Sequence, residues 1–291
     1  MKTIRSKHMS ENKPNTQSIA VGFVGLGDQG LLMAAAIARA GHDLHVWARN
    51  PEHYTGLKGA AFTRHDSIES LAAASEVVGL CISSDDDVIQ LLRNGLLQHL
   101  RKGAIVINHG TGTPAKAKEI AEICAKGGVE ALDAPVSGGR PAAEECRLTT
   151  YVGGAKAVAK QCLPVFQSFS RHVQYMGATG AGQYAKLFNN TLMIMNQAAI
   201  ADVLDLASRC GLDPRKTVEA LKLGSAFSNS LTYFNTMITE QTVGHLSRLE
   251  EEDMDLFAVA MADVGIDGSI VYERGIAGAR GIAKTIQLLN S

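Results

Sequence analysis

Short apolar runs alternate with alanine-rich stretches through the first half of the chain. Ile19-Ala-Val-Gly-Phe-Val24 fits a strand buried on both faces. Residues 30–40 then suit a helix, closed by Gly41 as a C-terminal cap. His45-Val-Trp47 reads as a second strand, with further strands over 77–82, 104–108 and 131–132, each after a helical stretch. Strands and helices alternating at this spacing predict a parallel, doubly wound sheet. The pattern shifts near Ser168: a strand over 148–152 and a helix over 155–166 still fit it, but beyond Gly180 hardly any strand signal remains. Residues 183–210 form one long apolar-rich stretch, stopped by Gly211 and Pro214. A helix of that length needs cover on most sides, so a helical second domain follows, packed between domains or subunits.

The expected fold is therefore α/β: an N-terminal Rossmann-type domain over 19–180 and an all-α C-terminal domain over 181–291, joined by a long interdomain helix. The first 18 residues are polar and lack the apolar core of a signal peptide, so 1–18 reads as a disordered extension. A length of 291 residues suits two domains. A net charge of -1 with 20% charged residues gives no sign of a nucleic-acid or membrane-surface partner. The five cysteines are widely spaced without a Cys-x-x-Cys, which fits reduced thiols and a cytoplasmic location. No stretch has the apolar length of a bilayer span, and no internal repeat or low-complexity tract stands out.

Chemistry enters first at Gly25-Leu26-Gly27-Asp28-Gln29-Gly30, a Gly-x-Gly-x-x-Gly that follows the first strand and opens the first helix. That placement is what a dinucleotide fingerprint requires. Gly25 permits the tight turn, Gly27 lets the backbone approach a pyrophosphate, and Gly30 allows close helix-strand packing. An NAD site carries an acidic residue at the end of the second strand, whereas here that end reads Ala48-Arg49-Asn50. The planar fork of Arg49 suits a phosphate and favours NADP, with NAD the alternative if Arg49 is only a solvated loop residue. Asp85-Asp86-Asp87 is read as the acidic first turn of a helix capped near Ser84 rather than as a metal site.

Asp133-Ala-Pro-Val-Ser-Gly-Gly139 follows a strand end, where open α/β sheets bind ligands. Ser137, Gly138 and Gly139 offer a hydroxyl and unobstructed N–H groups to a carboxylate, or form an ordinary turn. Lys186 and Asn190 lie four apart, on one face of a helix, so an ammonium and a carboxamide can converge on one small molecule.

Taken in order, these motifs and the loop Gly110-Thr-Gly-Thr-Pro114 resemble the β-hydroxyacid dehydrogenase family from about Ile19 to the C-terminus. The resemblance implies an active site in the cleft between the domains. It places Thr111 near the nicotinamide, and Ser137, Gly138 and Gly139 on the substrate carboxylate. Lys186 becomes the general acid/base, with Asn190 holding the substrate. It implies a small β-hydroxy acid or its semialdehyde as substrate, while the apolar length of residues 183–210 favours a homodimer or homotetramer. Imine reduction and non-catalytic NADP binding are the competing readings; retention of Lys186 speaks against the first, and retention of Lys186, Asn190 and Ser137 against the second.

Three departures from the family pattern stand out. Gly110 replaces a serine, the usual small Gly-Ala and Gly-Thr positions after Gly139 read Ala142-Ala143 and Cys146-Arg147, and Glu252 stands where a lysine is common. Glu252 either complements the N-terminus of a helix starting nearby or alters substrate choice, favouring a substrate with one carboxylate.

Overall fold

The computed structural model describes residues 18–291, so all of the expected extension but Ser18 lies outside the described residues. The strands are β1 (Ala20–Val24), β2 (Asp43–Trp47), β3 (Thr63–Arg64), β4 (Val77–Leu80), β5 (Ile105–Asn108), β6 (Glu130–Asp133), β7 (Val136–Ser137), β8 (Leu148–Gly154) and β9 (Ser170–Gly177). They form one sheet in the order β3-β2-β1-β4-β5-β6-β8-β7, with β9 alongside β8. From β3 to β6 every pairing is parallel, the doubly wound order whose direction reverses between β1 and β4. β8 runs antiparallel to β6.

Alternation along the strands builds two apolar layers. Val21 and Phe23 of β1, Val77 of β4, and Ile105 and Ile107 of β5 enter one core, which also holds Met33 and Ile37 of the helix Gly30–Arg39. Val24, Val78, Leu80 and Val106 face the opposite core, under the helices Ile68–Ala74, Asp85–Leu91 and Pro114–Lys126.

Three strands escape the sequence pattern. β3 and β7 are two residues each, too short to show a period. β9 is an edge strand exposing Tyr175 and Met176, so it lacks an apolar signature. The helix expected over 155–166 is two, Lys156–Gln161 and Leu163–Phe169, and Pro164 sits in the first turn of the second, where its missing N–H costs no helical bond.

Beyond Ala181 the regular structure is helices joined by loops, apart from an isolated bridge between Phe234 and Ile238. The interdomain helix Ala181–Arg209 is covered by the helices Val243–Ala262 and Ser269–Asn290. Small residues allow the close approach: a Cβ at Gly278 would stand 2.2 Å from the Ile194 carbonyl oxygen.

Candidate active site

The nucleotide turn begins where β1 ends. Gly25 has φ +95°, and a Cβ there would lie 2.1 Å from the Cys81 carbonyl oxygen. A Cβ at Gly30 would lie 1.9 Å from the Gly25 carbonyl oxygen, so helix and turn pack without room for a side chain. Gly27 differs: a Cβ there would meet nothing within 4 Å. The turn is tight where it folds on itself and open where a pyrophosphate would approach, and the following helix has no side-chain cap at its N-terminus. Leu26 is buried beneath the turn, and the exposed Asp28 pairs with Arg140. A crevice of about 430 Å³ lies at the ends of β1 and β2, lined in part by Val24, Trp47 and Ile82, with Arg49 the only cation lining it among the described residues. Asp66, Glu69 and Asp87 line it as well, so the planar guanidinium is the positive charge there that a phosphate could meet. Asn50 turns its Oδ1 to accept from the Glu52 N–H at 3.0 Å, capping the 3-10 turn Pro51–Leu57.

Ser84 caps the helix Asp85–Leu91 as expected, accepting from the Asp87 N–H. Asp85 does more than begin that helix. Its carboxylate accepts from Asn108 Nδ2 and from the Thr113 N–H, both at 3.0 Å, and so ties down the loop carrying Thr111. Gly110 fits that path, since a Cβ there would stand 2.8 Å from the Ile82 carbonyl oxygen.

Two side chains that sequence reasoning passed over join the sheet to the interdomain helix. Asp133, buried at the end of β6, accepts from the N–H groups of Gly180 at 2.8 Å and Gln183 at 3.0 Å, placing a carboxylate on the helix's positive end. Burial raises its pKa, and these backbone donors pull it back down. Gln183, also buried, accepts from the Gly112 N–H at 3.0 Å and donates to the Gly110 carbonyl at 2.9 Å, gripping the Thr111 loop.

One turn beyond Gln183, on the same face, is Lys186. Burial holds its ammonium below the ordinary lysine range, while Asp253 opposes the shift. Asn190 donates to Asp253 Oδ2 at 2.7 Å, and Asn189 donates to Asn190 Oδ1 at 3.0 Å and to Ser137 Oγ at 3.1 Å. Tyr151 of β8 donates to Asn189 Oδ1 at 3.1 Å. One network thus runs from the Ser137 loop to Asp253, beside Lys186. Burial raises the Asp253 carboxyl, with Lys186 and Asn190 acting the other way. Gly138 and Gly139, at φ +126° and +65°, make the turn after Ser137; a Cβ on Gly138 would stand 2.5 Å from that of Ala142.

Glu252 requires a correction. The helix carrying it starts at Val243, so the acidic cluster lies mid-helix and cannot complement a helix N-terminus. Glu252 is exposed, and its neighbour Asp253 is the carboxylate that accepts from Asn190 and acts on Lys186 through its charge.

A doubly wound sheet with an open glycine turn at its switch point, and a lysine held in a polar cleft on a long helix, defines a dinucleotide-dependent oxidoreductase. Residues 20–177 match the family described as the NAD binding domain of 6-phosphogluconate dehydrogenase. Residues 180–269 match that described as NAD-binding of NADP-dependent 3-hydroxyisobutyrate dehydrogenase. The 3-hydroxyisobutyrate dehydrogenase of Pseudomonas aeruginosa is 33% identical over 217 residues, covering 74% of this chain and 73% of that protein. The 2-hydroxy-3-oxopropionate reductase of Escherichia coli is 31% identical over 240 residues, 81% of this chain and 82% of that one. The solved structure of Mycobacterium tuberculosis 3-hydroxyisobutyrate dehydrogenase superposes with a TM-score of 0.83 at 23% identity, over 94% of this chain and 100% of the other. The chain belongs to the β-hydroxyacid dehydrogenase family and is an NAD(P)-dependent oxidoreductase.

Proposed function

We propose that the protein interconverts a small β-hydroxy acid and its semialdehyde, using NADP in preference to NAD, with Lys186 as the general acid/base. The observation that carries this is the lysine itself: partly buried, lowered in pKa, and set one helical turn from an asparagine whose carboxamide Asp253 fixes at 2.7 Å. The relatives named for such chemistry, at 33% and 31% identity, support the substrate class.

When bound, the nicotinamide supplies or accepts the hydride. In reduction, Nζ of Lys186 gives a proton to the oxygen of the carbonyl as that carbon gains hydride, and its charge stabilises the developing alkoxide. In oxidation the neutral amine takes the hydroxyl proton. Asn190 orients the substrate, and Ser137 with the N–H groups of Gly138 and Gly139 receives its carboxylate. Gly25, Gly27 and Gly30, with the helix N-terminus behind them, hold the pyrophosphate, Thr111 lies by the nicotinamide, and Arg49 takes the 2′-phosphate. Glu252 adds negative charge beside Asp253, so a second anion is disfavoured on that side of the cleft. Imine reduction is less well supported, because proton transfer by Lys186 suits an oxygen substrate.

The proposal includes a two-domain division at about residue 180, which the separate family matches on either side support. It also includes a cytoplasmic location, consistent with five free cysteines, and a homodimer or homotetramer. Exposed Phe188, Leu192 and Leu206 on the interdomain helix, with Ile266 and Ile270, favour burial against another subunit.

Lys186→Ala decides the mechanism. Turnover of semialdehydes with NADPH is expected to fall at least about a hundredfold, the size of a general acid's contribution, while NADPH affinity stays within about threefold. Because the lysine's pKa is lowered, reduction should decline and oxidation rise as pH climbs through that lowered value. Undiminished turnover by the variant overturns the assignment.

A further inference from the structure

Beyond Ser137 the substrate loop opens into a cleft of about 630 Å³ between the sheet and the segment after the interdomain helix. It extends away from the Lys186 network: no residue of the helix Val243–Ala262 lines it, and Ser137, Tyr151 and Asn189 are shared between cleft and network. Among the described residues its lining holds no carboxylate, and its single charge is Arg147. Neutral hydrogen-bonding groups surround that charge, among them Thr149, Asn196, Asn229 and Tyr233. Burial raises the pKa of both Tyr151 and Tyr233, which keeps the phenols protonated as donors.

Arg147 occupies a built position. The chain leaves the short helix Gly139–Glu144 through Cys146, a non-glycine residue at φ +54°. A side chain in that left-handed region is strained. The Arg147 N–H then donates to the Ala142 carbonyl at 2.7 Å, fixing where the side chain leaves. Its Nε is paired with the exposed carboxylate of Glu145, which leaves the outer edge of the guanidinium for another anion.

We propose that this cleft is a second recognition subsite, in which Arg147 takes a carboxylate at the far end of a hydroxy acid whose first carboxylate lies at Ser137. The substrate class is then dianionic. This deepens the hydroxy-acid reading above and rests on it. The negative side of the active site, at Asp253 and Glu252, directs the second charge here, and Tyr233 and Asn229 serve the connecting chain. A planar fork is suited to a carboxylate in a way a lysine is not.

The test compares 2-(hydroxymethyl)butyrate with 2-(hydroxymethyl)glutarate in NADP-dependent oxidation to the semialdehyde, and butyrate with glutarate in raising the unfolding temperature of the NADP-loaded protein. The diacid is expected to lead in kcat/KM by about tenfold or more, the scale of one charge-assisted hydrogen bond. Arg147→Thr should erase that ratio mainly through KM, Arg147→Lys should restore only part of it, and Glu145→Gln should enlarge it. A wild-type protein without the preference, or one whose preference survives Arg147→Thr, overturns the subsite. If the monoacid is turned over while glutarate protects no better than butyrate, the subsite fails and the hydroxy-acid reading stands. If glutarate protects in an Arg147-dependent way but neither acid is oxidised, the hydroxy-acid reading fails and the subsite stands.

Discussion

Glu250 lies one turn before Asp253 on the same helix, yet it faces inward and is only 6% exposed. It accepts from Gln197 Nε2 at 2.9 Å, while Gln197 Oε1 and Glu250 Oε2 lack partners among the described residues. A carboxylic acid and a carboxamide side by side satisfy both orphans only if the acid keeps its proton and donates to the amide oxygen. Burial pushes this carboxyl up to about 7 from 4.5, against the hydrogen bond from Gln197 and with the charge of Asp253 adding to the rise. A folded pKa above the unfolded one stabilises fully below pH 4.5, and the benefit is lost as pH rises from there through about 7. The amount at stake is on the order of 3 kcal/mol. Glu250→Gln should therefore flatten the decline and leave the protein more stable than wild type at pH 8. Urea unfolding at pH 5 and pH 8 measures it, and parallel pH dependences for the two proteins would contradict it.

At the scale of the element, the interdomain helix depends on a residue 47 positions before its first bonded N–H. Asp133→Ala removes a carboxylate from two buried donors and leaves both unpaired, a loss of about 3 kcal/mol. A fall of that size in unfolding free energy is expected, and a change under about 1 kcal/mol, the scale of a single ordinary hydrogen bond, would show the cap to be dispensable. The sequence exposes one half of this element and hides the other. The lysine-asparagine spacing is local, so Lys186 and Asn190 fall on one helical face by counting alone, and extending the count back three residues reaches Gln183. The glycine turn is equally local, because φ and close approach leave few other residues possible at Gly25 and Gly30. Asp133, Asn189 and Asp253 owe their positions to partners about 50 or more residues distant, which no periodicity encodes. The missing lysine at Glu252 also points one residue away from Asp253, the carboxylate that faces the cleft. β9 stayed invisible for a related reason, since one edge of it pairs with β8 while its outward side chains stay wet.

For the molecule as a whole, cofactor choice is set far from the chemistry. Arg49 shares its crevice with Asp66, Glu69 and Asp87 and is the only cation lining it among the described residues. Without the guanidinium a phosphate would meet three carboxylates and no positive charge in this lining, so Arg49→Gln is expected to raise KM for NADPH at least about tenfold and to shift KM for NADH little. Matching increases for both cofactors would remove the phosphate role. The clamp formed by Asp133 and Gln183 sets a different limit, on movement. The first turn of the long helix is rooted in the sheet and in the Thr111 loop, so Lys186 rides with the nucleotide half as a fixed post. Asp253, joined through Asn190 and Asn189 to Ser137, belongs to the same fixed body, so any closing of the cleft has to pivot beyond that network.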